Sequence, residues 1–436
     1  MSKDPEVSKK EIRHKIGLSL GGDLCWPACY EEILKLLKLE FDLGDSVVTC
    51  AAERVTMEPF NLQQSCSYSV VLDRLTHWFH LSREWIKKAI VMDDLYVLNN
   101  PWSIQSMEKH TTYAAMMSLG LPVPETWLLP KRQPDEWADL EHTLRSYASQ
   151  WDLFEIGEKV GYPFFMKPYD GGGWRGVSHV NGPKRLNEGY AASGSSMMHL
   201  QKAVPDYDLF VRAVGIGPQV NVIKYDPEAP LHKRYCVDFN YVNESEWSLM
   251  TDMTLTINSY FGWDFNSCEA LRSGGRFHPI DFANACPDSQ VTSLHYHFPW
   301  LVKALIRWSL FCAVTERKMR KTLDWAPYEE IKEKGLDERE ALRRYGDIGR
   351  QRFSIEEFVD FCQTHLSHLD EVVVEFFQTD RAKEIIRSKV AQLFPKHEID
   401  MFTDHFFGLI QFWVKTETDR LSRKPELPEG IYLGDA

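Results

Sequence analysis

The residues best suited to chemistry lie in Tyr162–Val177, which reads Tyr-Pro-Phe-Phe-Met-Lys-Pro-Tyr-Asp-Gly-Gly-Gly-Trp-Arg-Gly-Val. Phe164, Phe165 and Met166 form an apolar run long enough for a buried strand. Lys167 ends that run, and four glycines follow within six positions, at Gly171, Gly172, Gly173 and Gly176. Backbone N–H groups in such a loop can turn toward an anion with no side chain in the way. A lysine leaving the strand beside it adds a point charge to the same anion. The spacing matches neither the phosphate loop ending in Gly-Lys-Ser/Thr nor the dinucleotide Gly-x-Gly-x-x-Gly turn. A plain hairpin turn before Trp174 is the other reading of these glycines. A second constellation lies further on. Asp264 follows Gly262-Trp263, and Asp281 and Asn284 lie in Pro279-Ile280-Asp281-Phe282-Ala283-Asn284. A hairpin about Gly274-Gly275 would draw these together. Two carboxylates and an amide oxygen are hard ligands that suit magnesium bridging nucleotide phosphates; a polar hairpin with its acids in water is the alternative.

The elements that must position these residues read as follows. Lys15–Leu20, Ser46–Ala51, Tyr68–Leu72 and Leu95–Leu98 read as strands, with helices from Pro27 and over Ser82–Met92. That alternation predicts a small parallel sheet covered on both faces. Asn100-Pro101 starts a helix through Leu119, which Gly120 stops. Lys131–Gln150 suits an exposed loop and helix, and Asp152–Val160 and Pro183–Ala192 read as short helices. Ser196–Val204 is a strand, and Phe210–Gly215, Gln219–Tyr225 and Arg234–Phe239 form an antiparallel run. Glu244–Phe261 is a helix ended by Gly262. Beyond Phe298 the chain turns helical. Trp300–Val314, broken by Lys303 and Arg307, reads as amphipathic. Ile355–Gln363, capped by Ser354, and Phe402–Val414 also carry apolar faces. Glu329–Arg352 reads as a solvated charged helix or loop, and Arg420–Ala436 as a tail. His295 and His297 fit ordinary packing better than metal binding, having no clustered partners.

The chain of 436 residues carries a formal charge of -13, which argues against nucleic acid as its main partner. No apolar run is long enough to span a bilayer, and the polar start lacks a secretory core, so the expected location is the cytoplasm. The nine cysteines show no paired framework, consistent with reduced thiols.

Three blocks in order resemble the ATP-grasp superfamily: Asn100-Pro101 with Lys109 and Gly120-Leu121-Pro122-Val123-Pro124-Glu125-Thr126, then the Lys167 strand with its glycine loop, then the final acidic hairpin. The likeness is to its RimK-like, glutathione-synthetase-like and D-alanine ligase-like members and covers roughly residues 95–290. It implies an α/β (α+β) fold: an N-terminal α/β unit over 1–100, a nucleotide-binding domain over 101–297 and a helical region over 298–436. It also implies ATP and Mg2+ as cofactors. In that pattern Lys109 reaches the phosphates with Lys167 and the glycine loop. The carbonyl of Lys202 and the N–H of Val204 meet the adenine edge, and Leu200 packs on the base. Asp208 lies where ribose is bound, although a shift of two residues puts Phe210 there. Arg212 and Arg234 lie where the fold faces the triphosphate or acyl substrate, and Arg175 either closes over an acyl phosphate or points to solvent. The pattern's glutamate is replaced by Asp281, three residues before Asn284 and not two, which alternation would put on opposite faces unless a bulge intervenes. The implied activity joins a small-molecule or peptide carboxylate to an amine or thiol through an acyl phosphate. A phosphotransferase and a non-catalytic binding protein are the alternatives, and the helical region would suit homo-oligomer contacts.

Overall fold

The computed structural model describes residues 9–18, 23–74, 76, 79–103, 108–133, 151–169, 173–284 and 287–434. Five strands build the first sheet: β1 (Lys10–Leu18), β2 (Glu40–Asp42), β3 (Ser46–Arg54), β4 (Val70–Leu72) and β5 (Tyr96–Leu98). They are ordered β2-β3-β1-β4-β5, and all neighbours are parallel except the edge strand β2. The helix Cys25–Leu37 buries Ile33, Leu34 and Leu37, and the helix His80–Asp93 buries Ile86, Ala89 and Ile90. This is the expected parallel α/β unit.

A second, smaller sheet holds β6 (Thr126–Leu129), β7 (Phe164–Pro168), β8 (Ser178–Val180) and β9 (Met198–Lys202) in the order β6-β9-β7-β8. Strand alternation sorts its side chains. Phe164, Met166, Met198 and Leu200 face a core shared with Val160 and Leu186, from the helices Leu153–Val160 and Pro183–Ala192. Phe165, Lys167, His199 and Gln201 face the other way.

The third sheet, β10 (Leu209–Ile216), β11 (Gln219–Lys224), β12 (Phe265–Ser273) and β13 (Arg276–Asp281), is antiparallel in the order β11-β10-β12-β13. Glu244–Phe261 packs on it as a helix, started by Asn243 and Glu246 in a reciprocal capping box. The predicted strand Arg234–Phe239 is absent. Only the pair Tyr225–Tyr235 bridges there, after a short turn of helix over Leu231–Lys233.

The C-terminal region is helical as expected, but it is no separate layer. A single core joins residues of the first sheet, the third sheet and the C-terminal helices, whereas the small sheet keeps its own. The helix Phe298–Val314 is buried along its whole length, so it is not amphipathic. Its two cations are neutralised internally: Lys303 Nζ lies 2.5 Å from Glu417 and 2.7 Å from Glu429, and Arg307 pairs with Asp370. The charged run also packs inward, because the helix Glu338–Arg352 lies along Glu244–Phe261 and its buried Arg350 meets Asp252 at 2.5 Å. The last residues are no tail. The helix Ile399–Ser422 runs on past Arg420, Val220 N–H donates to Gly430 O at 2.8 Å, and Arg350 Nε donates to Tyr432 O at 3.2 Å. Ser354 stands at the start of Ile355–His365 with φ 51 and makes no side-chain cap; its hydroxyl instead accepts from Arg317.

Candidate functional site

The helix Lys109–Ser118 begins against the end of β7, where Lys109 N–H donates to Tyr169 O at 3.0 Å. This contact aims two lysines at one place. Lys109 Nζ donates to both Asp281 oxygens, at 2.6 and 2.5 Å. Lys167 Nζ donates to Gln201 Oε1 at 2.6 Å and to Ile280 O at 3.0 Å. Lys109 is 4% exposed and Lys167 is 7% exposed.

The Ile280 carbonyl is available because β13 carries a bulge. Ala270 pairs with Pro279 but Glu269 pairs with Asp281, so Ile280 is the extra residue. Its carbonyl is used by Lys167 and by Tyr113 Oη, 2.8 Å away. The bulge also makes Asp281 the cross-strand partner of Glu269, and such partners share a face. Arg212, the β10 partner of Glu269, forms an ion pair with it and donates to Tyr235 Oη at 2.7 Å. The Arg212 guanidinium also sits 4.3 Å from the Tyr225 ring centre. Three cations and two carboxylates thus meet where the small and large sheets face each other.

Their proton affinities reflect burial and mutual charge. Burial holds Lys167 down to about 8, with Lys109 adding to the effect against Asp281 and Glu269. Burial raises Glu269, as does Asp281, against the pull of Arg212. Burial also favours the neutral form of Asp281, but Lys109 and Lys167 outweigh it and leave that carboxyl below its usual range.

Asp264 is not part of this group. It stands five residues before Glu269, just ahead of the start of β12, a separation of about 17 Å at strand rise. It is fully buried, accepts from Tyr96 Oη at 2.5 Å and Trp308 Nε1 at 2.9 Å, and pairs with Arg352. Asp264 therefore ties β5, β12 and two C-terminal helices together. Glu269 takes the place expected for it: regular pairing from Ser273–Arg276 to Ala270–Pro279 would set it opposite Ile280, and the bulge brings it opposite Asp281.

Asn284 lies beyond the end of β13, so alternation does not govern it. Its N–H donates to Asn266 Oδ1 at 2.9 Å, and its Nδ2 to Ser267 O and Asp281 O, each at 3.4 Å. Among the described residues no group of three His, Cys, Asp or Glu side chains gathers as a metal site. Glu269, Asp281 and the Asn284 amide oxygen are nevertheless the hard donors that suit a magnesium ion completing its shell with phosphate and water.

The remaining candidates are placed as follows. Gly171 and Gly172 lie outside the described residues, as does most of Lys131–Gln150. Gly173 and Gly176 adopt φ 66 and φ 72, and Arg175 between them is exposed. Leu200 is buried in the small sheet's own core, on the face away from Lys167, so it does not border the cleft. Gln201, unnoticed in the sequence, holds the cleft position beside it. Lys202 N–H donates to Glu125 O at 2.9 Å, and Val204 already packs on the large core, so the chain changes cores between Leu200 and Val204. Asp208 is taken by Arg272, at 2.6 Å, which holds its carboxyl below the usual range. Phe210 is buried against Tyr225, their ring centres 5.0 Å apart. Arg234 Nε donates to Ala229 O at 2.9 Å and so braces its own turn.

No protein-family model matches the chain, and no curated protein matches it. Solved structures that it resembles include a RimK domain ATP-grasp protein from Sphaerobacter thermophilus, at 13% identity over 68% of this chain and 99% of that one, with a TM-score of 0.46. D-alanine–D-alanine ligase from Bacillus anthracis, complexed with ATP, aligns at 12% identity over 70% and 99%, with a TM-score of 0.44. The macrocyclase MdnC from Microcystis aeruginosa, bound with the precursor peptide MdnA, aligns at 12% identity over 69% and 99%, with a TM-score of 0.45. Among the described residues no helix is long and apolar enough to cross a membrane.

Proposed function

We propose that this chain is an ATP-dependent ligase of the ATP-grasp kind, which activates a carboxylate as an acyl phosphate and joins it to an amine or thiol, releasing ADP and phosphate. The observation that carries the reading is the convergence of Lys109, Lys167 and Arg212, from three separate elements, on the cross-strand pair Glu269–Asp281. Lys109 and Lys167 hold the phosphate charge, and Arg212 faces the group being transferred. The Gly173–Gly176 turn closes over it, and the Leu200–Val204 crossing lets the small sheet move against the large core. Magnesium held by Glu269, Asp281 and Asn284 would offset the charge that develops on transfer. No general base is needed, because a carboxylate is already a nucleophile and positioning supplies most of the rate.

The test is the thermal midpoint with ATP, with and without magnesium, for the wild type and Lys167→Ala. Ligand at a hundred times its dissociation constant stabilises by about 2.7 kcal/mol. A magnesium-dependent rise that Lys167→Ala abolishes is expected, followed by ADP release in a screen of acids and amines. No shift at millimolar ATP would overturn the proposal.

A further inference from the structure

On the cleft face of the small sheet, one place from Gln201, stands His199. Register pairs it with Lys167 on β7 and Leu128 on β6, so it shares a face with Lys167. It is 0% exposed, yet neither ring nitrogen has a hydrogen-bond partner among the described residues. Buried polar groups are almost always satisfied, and an orphaned one needs a reason. Its surroundings supply one. The His110 ring centre is 6.0 Å away and the Tyr113 ring centre 5.6 Å away, both on the helix whose first residue is Lys109. His110 has its own buried, unpartnered Nδ1, while its Nε2 lies 3.2 Å from Thr111 Oγ1. Two imidazoles with unpartnered buried nitrogens, both of His199 and the Nδ1 of His110, therefore stand beside two lysines, at the positive end of a ten-residue helix.

We infer that His199 and His110 are further ligands of the polyphosphate, donating ring N–H groups to its oxygens beside Lys109 and Lys167; this rests on the nucleotide reading above. The groups facing His199 are His110, Lys167, Lys109 and Asp281. Burial, then His110 and the lysines, hold His199 down to about 3 against the smaller opposing effect of Asp281, so the ring is neutral near pH 7. A neutral imidazole carries one N–H and one lone pair. It adds a directed donor without adding to the cation surplus, and a bound phosphate oxygen satisfies the N–H that the free protein leaves unpaired.

The substitution Leu for His separates this role from a structural one. Replacing an unsatisfied buried polar group by an apolar one of similar size is neutral or stabilising. His199→Leu should therefore fold with an unchanged or higher melting temperature. Calorimetric titration with magnesium and ATP, AMP or inorganic tripolyphosphate should show about a tenfold loss for the two polyphosphates and none for AMP. His199→Gln, which keeps a donor, should recover part of the loss. In the wild type, the His199 imidazole 15N resonances should move on adding tripolyphosphate. Equal polyphosphate affinity in wild type and His199→Leu, or unmoved His199 resonances in a saturated sample, would overturn the inference. Failure of the wild type itself to bind ATP or tripolyphosphate would instead overturn the nucleotide reading.

Discussion

Exchanging a charged for a neutral side chain at Asp264, just before β12, and at Glu269 within it separates the architectural acid from the site acid. Asp264 is buried, accepts from Tyr96 and Trp308, and pairs with Arg352. Asp264→Asn leaves that arginine facing an amide, and breaking a buried ion pair on one side costs about 3–5 kcal/mol. At about 2.1 cal/mol/K per residue, unfolding entropy for a chain of 436 residues is roughly 0.9 kcal/mol/K. The melting temperature should then drop by about 4 °C. The rise produced by magnesium and ATP, about 3 °C at a hundredfold excess over the dissociation constant, should survive. Glu269→Gln also lowers the baseline, since Arg212 loses its anion, so the baseline does not discriminate. What discriminates is that the magnesium-dependent part of the ATP shift should vanish in Glu269→Gln. Differential scanning fluorimetry on both variants, with ATP alone and with ATP and magnesium, reads the contrast directly. A magnesium-dependent shift retained by Glu269→Gln and lost by Asp264→Asn would refute the assignment.

Lys167 is held down to about 8 from an ordinary value of 10.5. Between those values the unfolded chain keeps a proton that the folded one releases, so this group makes stability rise with pH across that window. The full change is about 3 kcal/mol, of which about 2 kcal/mol falls between pH 7.5 and 9.5, and urea titrations at those two values should show that rise in the wild type and not in Lys167→Met. Lys303→Met leaves Asp370, Glu417 and Glu429, among the described residues, with the buried Arg307 and the half-buried Arg420 as counter-charges. It should cost about 3–5 kcal/mol in urea; a loss below about 1 kcal/mol, the value of an exposed pair, would contradict internal neutralisation. Gly176→Ala puts a Cβ 2.9 Å from Pro168 Cγ at φ +72. It should strain the turn by about 1–2 kcal/mol, lower the melting temperature by no more than about 2 °C and weaken ATP binding by about tenfold; equal affinity would remove the turn from the site.

The two lysines were legible because each stands at a punctuated boundary, Lys167 before a glycine loop and Lys109 in a helix between Asn100-Pro101 and Gly120. The helix Glu244–Phe261 was legible to the residue, since Asn243 and Gly262 mark its ends chemically. The short Gly-x-Asp likeness points to Asp264, whereas strand register gives the place opposite Asp281 to Glu269, five residues on. Leu200 is a parallel case: alternation sets Lys167, His199 and Gln201 on one face and Leu200 on the other. The C-terminal region was misread because Lys303 and Arg307 look like a wet face until their acids are found more than sixty residues downstream. Local patterns do not show pairing across such distances.

The charges left at the junction of the two sheets indicate what the site is waiting for. Lys109, Lys167 and Arg212 make three positive groups, and Glu269 and Asp281 make two negative ones. Burial, more than any neighbouring charge, holds Lys167 near 8, so Lys167 is the member whose charge is least secure. A polyanion entering between the helix start at Lys109 and the end of β7 would offset the cost of burial and hold the Lys167 charge to higher pH. The same polyanion would compete with Asp281 for Lys109 and leave the Glu269–Asp281 pair short of positive charge, a deficit a divalent cation corrects. Polyphosphate and metal would therefore each make room for the other, and ATP affinity should fall as pH rises through 8 less steeply with magnesium present than without it. A pH titration of the ATP dissociation constant, with and without magnesium, measures that coupling; parallel curves would mean that the lysines and the acids do not act as one site.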